Sequence, residues 1–341
     1  AIAQVHSARA ELADTERGVL LDAASAYLDV VRDAKIFALN QENVRTLQAE
    51  LDAARTQQAA GAVTRTDVDQ AQARLSRAQA DLATAQRQMN ASREAFEAVI
   101  GRPAGTLDLS PTGPVLPVSL DAARSIGADR SPKILQAKAD WRAADYAVAD
   151  AVGALLPQAS ISANAEYLRD AAGTNVFATK NPQTILSVTG QVTVPIYQGG
   201  AEEATIRRAK ELRGQSQLAI ATAQRAVWQD VGNAWDGYTV ARLQIAANDQ
   251  QVAADQSALD GVKVEQEAGE RSVLDILNAQ QELLSAQVAA AAARHDAVLA
   301  AYRILWATGQ LGARTLALPV RYYDPIEHYD DHAGAWFGIG E

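Results

Sequence analysis

Gln158-Ala159-Ser160-Ile161-Ser162-Ala163-Asn164-Ala165-Glu166-Tyr167 is the stretch on which the reading of this chain turns. Ala159, Ile161, Ala163, Ala165 and Tyr167 alternate strictly with polar residues, a period of two that places one set on each side of a β-strand. A second run repeats the pattern: Leu186, Val188, Val192, Val194 and Ile196 alternate with Ser187, Thr189, Gln191 and Thr193. Each run holds about ten residues, the length that crosses a bilayer as a tilted strand. One face is apolar and the other small and polar, as lipid on one side and water on the other would require. A hairpin lying on a soluble domain is the competing reading of such a pair. An isolated hairpin is marginal by itself, however, and the flanking sequence offers no globular layer for it to pack on.

What flanks it is helical. Val68, Ala71, Leu75, Ala78, Leu82, Ala85, Met89 and Phe96 recur at alternating steps of three and four, the seam of a coiled coil. Ile276, Ala279, Leu283, Ala286, Ala290, Ala293, Ala297, Ala300 and Ile304 do the same. Small Ala at alternate seam positions lets helices approach closely. From Ala201 to Glu267 there is no Pro, and Val231, Ala234, Tyr238, Ala241, Ile245, Val252 and Leu259 keep the rhythm. A helix of that span is roughly 100 Å long, which implies an elongated object.

The two helical regions are copies. A shift of 208 positions matches Arg17 with Arg225, Val19 with Val227, Asp22 with Asp230, Asn40 with Asn248 and Leu51 with Leu259. It goes on to match Gly61 with Gly269, Asp67 with Asp275, Leu75 with Leu283 and Gly101 with Gly309, never changing register. A period this long is a duplicated multi-element unit rather than a solenoid. In the second unit a helix near Pro132–Leu155 and the two strands precede the long helix pair. In the first unit their counterparts would fall before Ala1, so the native chain is expected to carry roughly 80 further residues there, with a helix and two more strands.

Composition agrees and excludes. Of 341 residues, 48% are hydrophobic but only 5% aromatic, so Ala-rich helices rather than a large globular core are indicated. No apolar run is long enough for a transmembrane helix. The absence of Cys removes disulfides, thiol catalysis and Cys-ligated zinc. A net charge of −10 argues against nucleic acid as a partner. No phosphate loop and no catalytic constellation is present, no cofactor is implied, and an enzyme is not expected. Of the four His, His6, His295, His328 and His332, the third and fourth lie in the tail without a carboxylate frame for a metal. His295 is expected at a helix surface.

The tips of the helix pairs are Gly61-Ala62-Val63-Thr64-Arg65-Thr66-Asp67 and Gly269-Glu270-Arg271-Ser272-Val273-Leu274-Asp275. Thr64-x-x-Asp67 and Ser272-x-x-Asp275 have the form of capping boxes, with each Gly suited to ending the preceding helix. On that reading Asp67 and Asp275 stabilise helix starts and do nothing else.

These tips resemble the periplasmic turns of the TolC family of outer-membrane export ducts. Leu156-Pro157-Gln158 and Val194-Pro195-Ile196-Tyr197-Gln198-Gly199-Gly200 are similarly like that family's strand–helix junctions. The resemblance, carried by the order and spacing of these motifs, runs to about Gly309. It implies a mainly α chain of long antiparallel coiled-coil helices, an α-barrel when trimeric, plus a transmembrane β-hairpin contributing to a shared 12-stranded β-barrel, internally duplicated. Two strands per chain give only six in a trimer, below the roughly eight of the smallest membrane barrels, and an open edge is not tolerated in lipid. Residues 1–101 then form the first repeat, 102–131 an equatorial linker region, 132–156 the helix of the second repeat and 157–198 two membrane strands with an extracellular loop. Residues 199–309 form the second long helix pair and 310–341 a C-terminal equatorial segment and tail.

The implied function is a passive homotrimeric duct in the outer membrane, extending into the periplasm. It would work with a periplasmic adaptor and an inner-membrane ABC transporter in type I protein secretion, or with a proton-driven pump in multidrug efflux. The tail from Tyr322-Tyr323-Asp324-Pro325 to Ala335-Trp336-Phe337-Gly338 looks like that of secretion-type members. Membrane-strand residues Ile161, Tyr167, Val188, Val192 and Val194 would meet outer-membrane lipid, and Gly61, Ala62, Gly269 and Glu270 would form the tips that meet the adaptor. Asp275 matches the family's ring of carboxylates at the entrance. Asn278 stands where a second ring would carry Asp, Arg271, Thr66 and Asp67 match entrance latches, and Gln266 replaces an aromatic latch. A soluble coiled-coil adaptor whose hairpin is a docking domain is the reading from a different class.

Overall fold

The computed structural model describes residues 1–108, 111–168, 183–324 and 326. In chain order these form α1 (Ile2–Ala59), α2 (Arg65–Ile100), α3 (Leu120–Arg130), α4 (Pro132–Gly153), β1 (Gln158–Leu168), β2 (Gln183–Thr193), α5 (Ala201–Glu267) and α6 (Val273–Thr308). His328, His332 and the Ala335–Gly338 part of the tail lie outside the described residues, as does the loop between the strands. No helix among the described residues is long and apolar enough to cross a membrane. The described residues are mainly helical with one antiparallel hairpin, the expected class.

The duplication is visible in the element boundaries. α2 and α6 each have 36 residues, and both begin and end at positions related by the sequence offset. The cause is local. Thr64 and Ser272 are N-caps in extended conformation whose side chains accept from the backbone of Asp67 and Asp275, and both complete a capping box. At the other end Gly101 and Gly309 adopt φ of 79° and 74°, the left-handed C-cap that a Cβ disfavours.

Two compact units divide the chain. The first comprises residues 1–7 and 137–221 and holds the hairpin. Within it Ser7 Oγ donates to Asp140 Oδ1 at 2.6 Å, and Arg213 pairs with Asp145 at 3.2 Å, joining α5 to α4. β1 and β2 pair in register from Gln158 opposite Thr193 to Leu168 opposite Gln183.

The second unit comprises residues 8–136 and 222 onward. Near the tips Leu47, Leu51, Ala71, Leu75 and Ala78 of the first repeat close on Val273 and Leu277 of α6. Leu259, Ile276 and Leu283 form the seam of the second helix pair. At the far end Ala123, Ile134, Val227, Val231 and Ala307 pack α3 and the start of α4 onto α5 and α6. Arg17, only 2% exposed, stacks on the Trp306 ring at 4.7 Å, donates to the Trp306 carbonyl at 2.6 Å and pairs with Asp14. Burial of that guanidinium is tolerated because partners and an aromatic face replace water.

Two expectations are corrected, and one element not foreseen is added. The linker 102–131 contains a helix, α3, capped by Ser119 accepting from Ala122 and ending at Arg130. The second strand ends at Thr193 rather than Ile196, so Val194 lies just beyond it. Pro195 has no N–H for a ladder, and β1 likewise begins right after Pro157. His295 is buried, not at the surface, because α6 buries two faces where a single coiled-coil seam predicts one.

Candidate functional site

The hairpin's register sorts its side chains. Directly opposed residues share a face, so Ala159 with Val192, Ala163 with Val188, Ala165 with Leu186 and Tyr167 with Thr184 lie on the same side as Ile161. Ser160 with Gln191, Ser162 with Thr189, Asn164 with Ser187 and Gln158 with Thr193 lie on the other. Glu166 also lies on this polar side, opposite Ile185. The apolar face is bare: Ile161 is 84% exposed, and Leu186, Val188 and Val192 are comparably open. Such a strip of large apolar side chains backed by small polar ones suits lipid on one side and water on the other.

The tips are built by capping chemistry. Asp67 Oδ2 accepts from the Thr64 N–H and from Thr64 Oγ1, both at 2.8 Å. Asp275 Oδ2 accepts from the Ser272 N–H at 2.9 Å and from Ser272 Oγ at 2.8 Å. The Ser272 backbone bond, then its hydroxyl, with Arg271 nearby, hold the Asp275 carboxyl below the usual carboxylate range although it is solvent-exposed. Gly61 and Gly269 take φ of 78° and 80°, and their N–H groups donate to the carbonyls of Gln58 and Gln266. The N–H groups of Ala62 and Glu270 donate to Gln57 and Glu265, so the turns close the same way.

Beyond the caps the tips diverge. Arg271 pairs with Glu265 of its own turn at 2.9 Å, while Thr66 is exposed on α2. Asn278 links the two repeats: its Oδ1 accepts from the Arg74 guanidinium at 2.8 Å. Gln280 likewise donates to Glu50 at 3.3 Å. Sequence reasoning did not single out Arg74; its place beside seam residues Ala71 and Leu75 was the available signal.

A buried polar cluster was also missed. Arg32 pairs with Asp29 and Asp33, each at 2.8 Å, and Asp33 accepts from Ser92 and Gln88 of α2. Burial pushes the Asp33 carboxyl up, but the bonds from Arg32 and Ser92 outweigh it and hold it below the usual range. His295 Nδ1 lies 2.8 Å from Asp296, and Nε2 lies 3.0 Å from Asp29, off the line of a good hydrogen bond. No group of three or more His, Asp or Glu able to hold a metal ion exists among the described residues.

Comparison with known proteins places this geometry. A profile of the family described as "Outer membrane efflux protein" matches residues 1–102 and 126–310. The chain is 37% identical to the outer membrane efflux protein BepC of Brucella suis over 336 residues, covering 98% of this chain and 73% of that protein. It is 23% identical to the outer membrane protein TolC of Escherichia coli over 88% of this chain and 63% of TolC. With the alkaline protease secretion protein AprF of Pseudomonas aeruginosa it shares 26% identity over 75% of this chain and 54% of AprF. Its fold matches a solved membrane protein of Pseudomonas aeruginosa with a TM-score of 0.77 at 19% identity, over 91% of this chain and 69% of that one. The chain thus spans about two thirds of TolC and about half of AprF. It belongs to the outer membrane efflux protein family, whose members are outer-membrane channels that extend into the periplasm and are not enzymes.

Proposed function

We propose that this chain is one subunit of a passive trimeric export duct serving type I protein secretion, in concert with a periplasmic adaptor and an inner-membrane ABC transporter. The observation that carries the membrane part is the segregation of the hairpin, with Ile161, Val188 and Val192 on one face and Ser162, Thr189 and Gln191 on the other. Family membership supports the duct. On this reading Gly61, Ala62, Gly269 and Glu270 meet the adaptor, and Asp275 lines the entrance, with Arg271, Asn278, Gln266, Thr66 and Asp67 around it. Efflux of small molecules, driven by a proton-coupled pump, is the second reading, favoured by the identity with a protein named for efflux.

Asp introduced at Val192 faces lipid near the end of β2, at a cost below the roughly 2–4 kcal/mol of Arg or Lys at the bilayer midplane; Asp at Thr189 faces water. Expressed in cells, Val192→Asp should impair outer-membrane insertion more than Thr189→Asp. Equal tolerance of the two would overturn the membrane assignment. In the same cells, loss of an exported protein supports secretion, whereas loss of drug resistance alone supports efflux.

A further inference from the structure

Where α6 meets α1, two helix stripes border one cavity. Leu28, Val31, Arg32 and Lys35 of α1 stand at i, i+3, i+4 and i+7, so they share one helix face. Ala291, Arg294, His295 and Val298 of α6 repeat that spacing. With Ile245 of α5 and Pro111, these stripes line a cavity of about 580 Å³ that lies wholly in the second unit. That size suits a small organic molecule, whose sites run from roughly 300 to 1,000 Å³.

Its lining is chemically divided. Leu28 and Ala291 are buried, and with Val31, Ile245 and Val298 they supply an apolar wall. The ionisable residues on the lining are all basic, and no carboxylate lines it among the described residues. Most of these bases already face carboxylates of the chain: Arg32 faces Asp29 and Asp33, Arg294 faces Asp249 at 2.6 Å, and His295 lies between Asp29 and Asp296. Lys35 is exposed and, among the described residues, has no ion-pair partner. The duplicated heptad does not require this set. The offset puts Val240 and Leu243 where α1 has Arg32 and Lys35, and Gln86 where α6 has Arg294.

We infer that this cavity binds an amphipathic monoanion, an alkyl carboxylate of medium chain length, with its tail on the apolar wall and its head at Lys35. A single unpaired cation calls for a single negative charge, because a second would be repelled by the carboxylates that hold Arg32 and Arg294. The tail follows from the wall: an inorganic anion would leave Val31, Ile245 and Val298 against water. Lys suits the head, since its ammonium is a mobile point charge on a stem that can lie along apolar surface. A ligand so placed touches α1, α5 and α6 together and stabilises their packing. The site lies within one chain, so it stands or falls independently of the trimeric reading.

Calorimetric titration of octanoate into the protein purified in a non-ionic detergent tests it, with the heats into detergent alone subtracted. Saturable binding at one site per chain is expected. Lys35→Glu should weaken it severalfold, and so should Val298→Phe, which fills the apolar part of the cavity. Lys35 is exposed, so its replacement leaves the fold intact. Arg77→Glu makes the same charge change on α2, at a residue that does not line the cavity, and should bind octanoate as the unaltered protein does. Octanol, with the same tail and no charge, should bind severalfold more weakly than octanoate. The melting temperature should rise with octanoate concentration, since a ligand of the folded state stabilises it by mass action. Heats equal to the detergent blank, binding that survives both cavity substitutions, or equal affinity for octanol and octanoate overturns the inference.

Discussion

The helix pair α1–α2 and the helix pair α5–α6 are one sequence unit used twice, and they share the capping geometry of their turns. Their turns, caps and C-terminal glycines coincide residue for residue. Their surroundings do not coincide: α6 is enclosed on two sides by its own chain, and α2 on one. Element boundaries are therefore written in a few capping residues, whereas burial is decided by what a neighbour supplies. Substitutions at matched positions in the two pairs separate these contributions.

The largest difference is expected at the C-caps. Both glycines have positive φ, so any side chain is strained at either place. At Gly101 an added Cβ meets nothing within 4 Å. At Gly309 it would lie 2.6 Å from the Arg130 carbonyl oxygen and 2.9 Å from its carbon, both backbone atoms at the end of α3. Gly101→Ala should cost about 1 kcal/mol. Gly309→Ala should prevent α3 from docking and reduce folded yield drastically. Thermal unfolding and limited proteolysis near Arg130 would report it; similar melting of the two variants would mean that the α3 contact carries no weight.

Next comes the second buried stripe. Leu277 is 2% exposed among Leu47, Leu51 and Leu75, while its counterpart Asp69 is exposed on α2. Leu277→Ala should destabilise by about 2–4 kcal/mol, the usual range for a buried leucine. Asp69→Ala should stay within about 0.5 kcal/mol. Denaturant titration of the two variants checks this, and equal costs would mean that the repeats are not distinguished by burial.

How much of this was legible in the sequence follows the same division. The caps Thr64 and Ser272, the turns at Gly61 and Gly269, and the long α5 could be read because each depends on residues within a turn or on an unbroken heptad. The two faces of the hairpin could be read because period two needs no partner to define it. α3 was missed: its 11 residues follow a Pro-rich stretch and include Gly127, a poor helix former retained where a Cβ would come within 3.1 Å of Val227. The burial of His295 and the Arg74–Asn278 contact were missed for a different reason. Periodicity reveals the seam within a helix pair, but the second stripe of α6 is defined by contact with the other repeat, which no single-helix pattern contains.

The smallest structural difference, and the most specific functional one, concerns Asp67 and Asp275. As caps they are equivalent, each accepting two hydrogen bonds from the residue three positions earlier. Replacing either by Ala should therefore weaken its helix start to a similar, small degree. For Asp275 the folded-state pKa is depressed below 3.8, so its contribution is present above the ordinary carboxylate range and is lost as pH falls through the lower folded value. Only the proposed entrance distinguishes the pair. If Asp275 lines a threefold opening, three carboxylates converge there and their summed field attracts multivalent cations. Asp275→Ala should then relieve cation block of single-duct conductance, while Asp67→Ala should leave that block intact and change the closed-state conductance instead. Planar-bilayer recordings of both variants decide it. Unchanged block in Asp275→Ala, at normal trimer yield, would leave the two aspartates alike in function as well as in geometry.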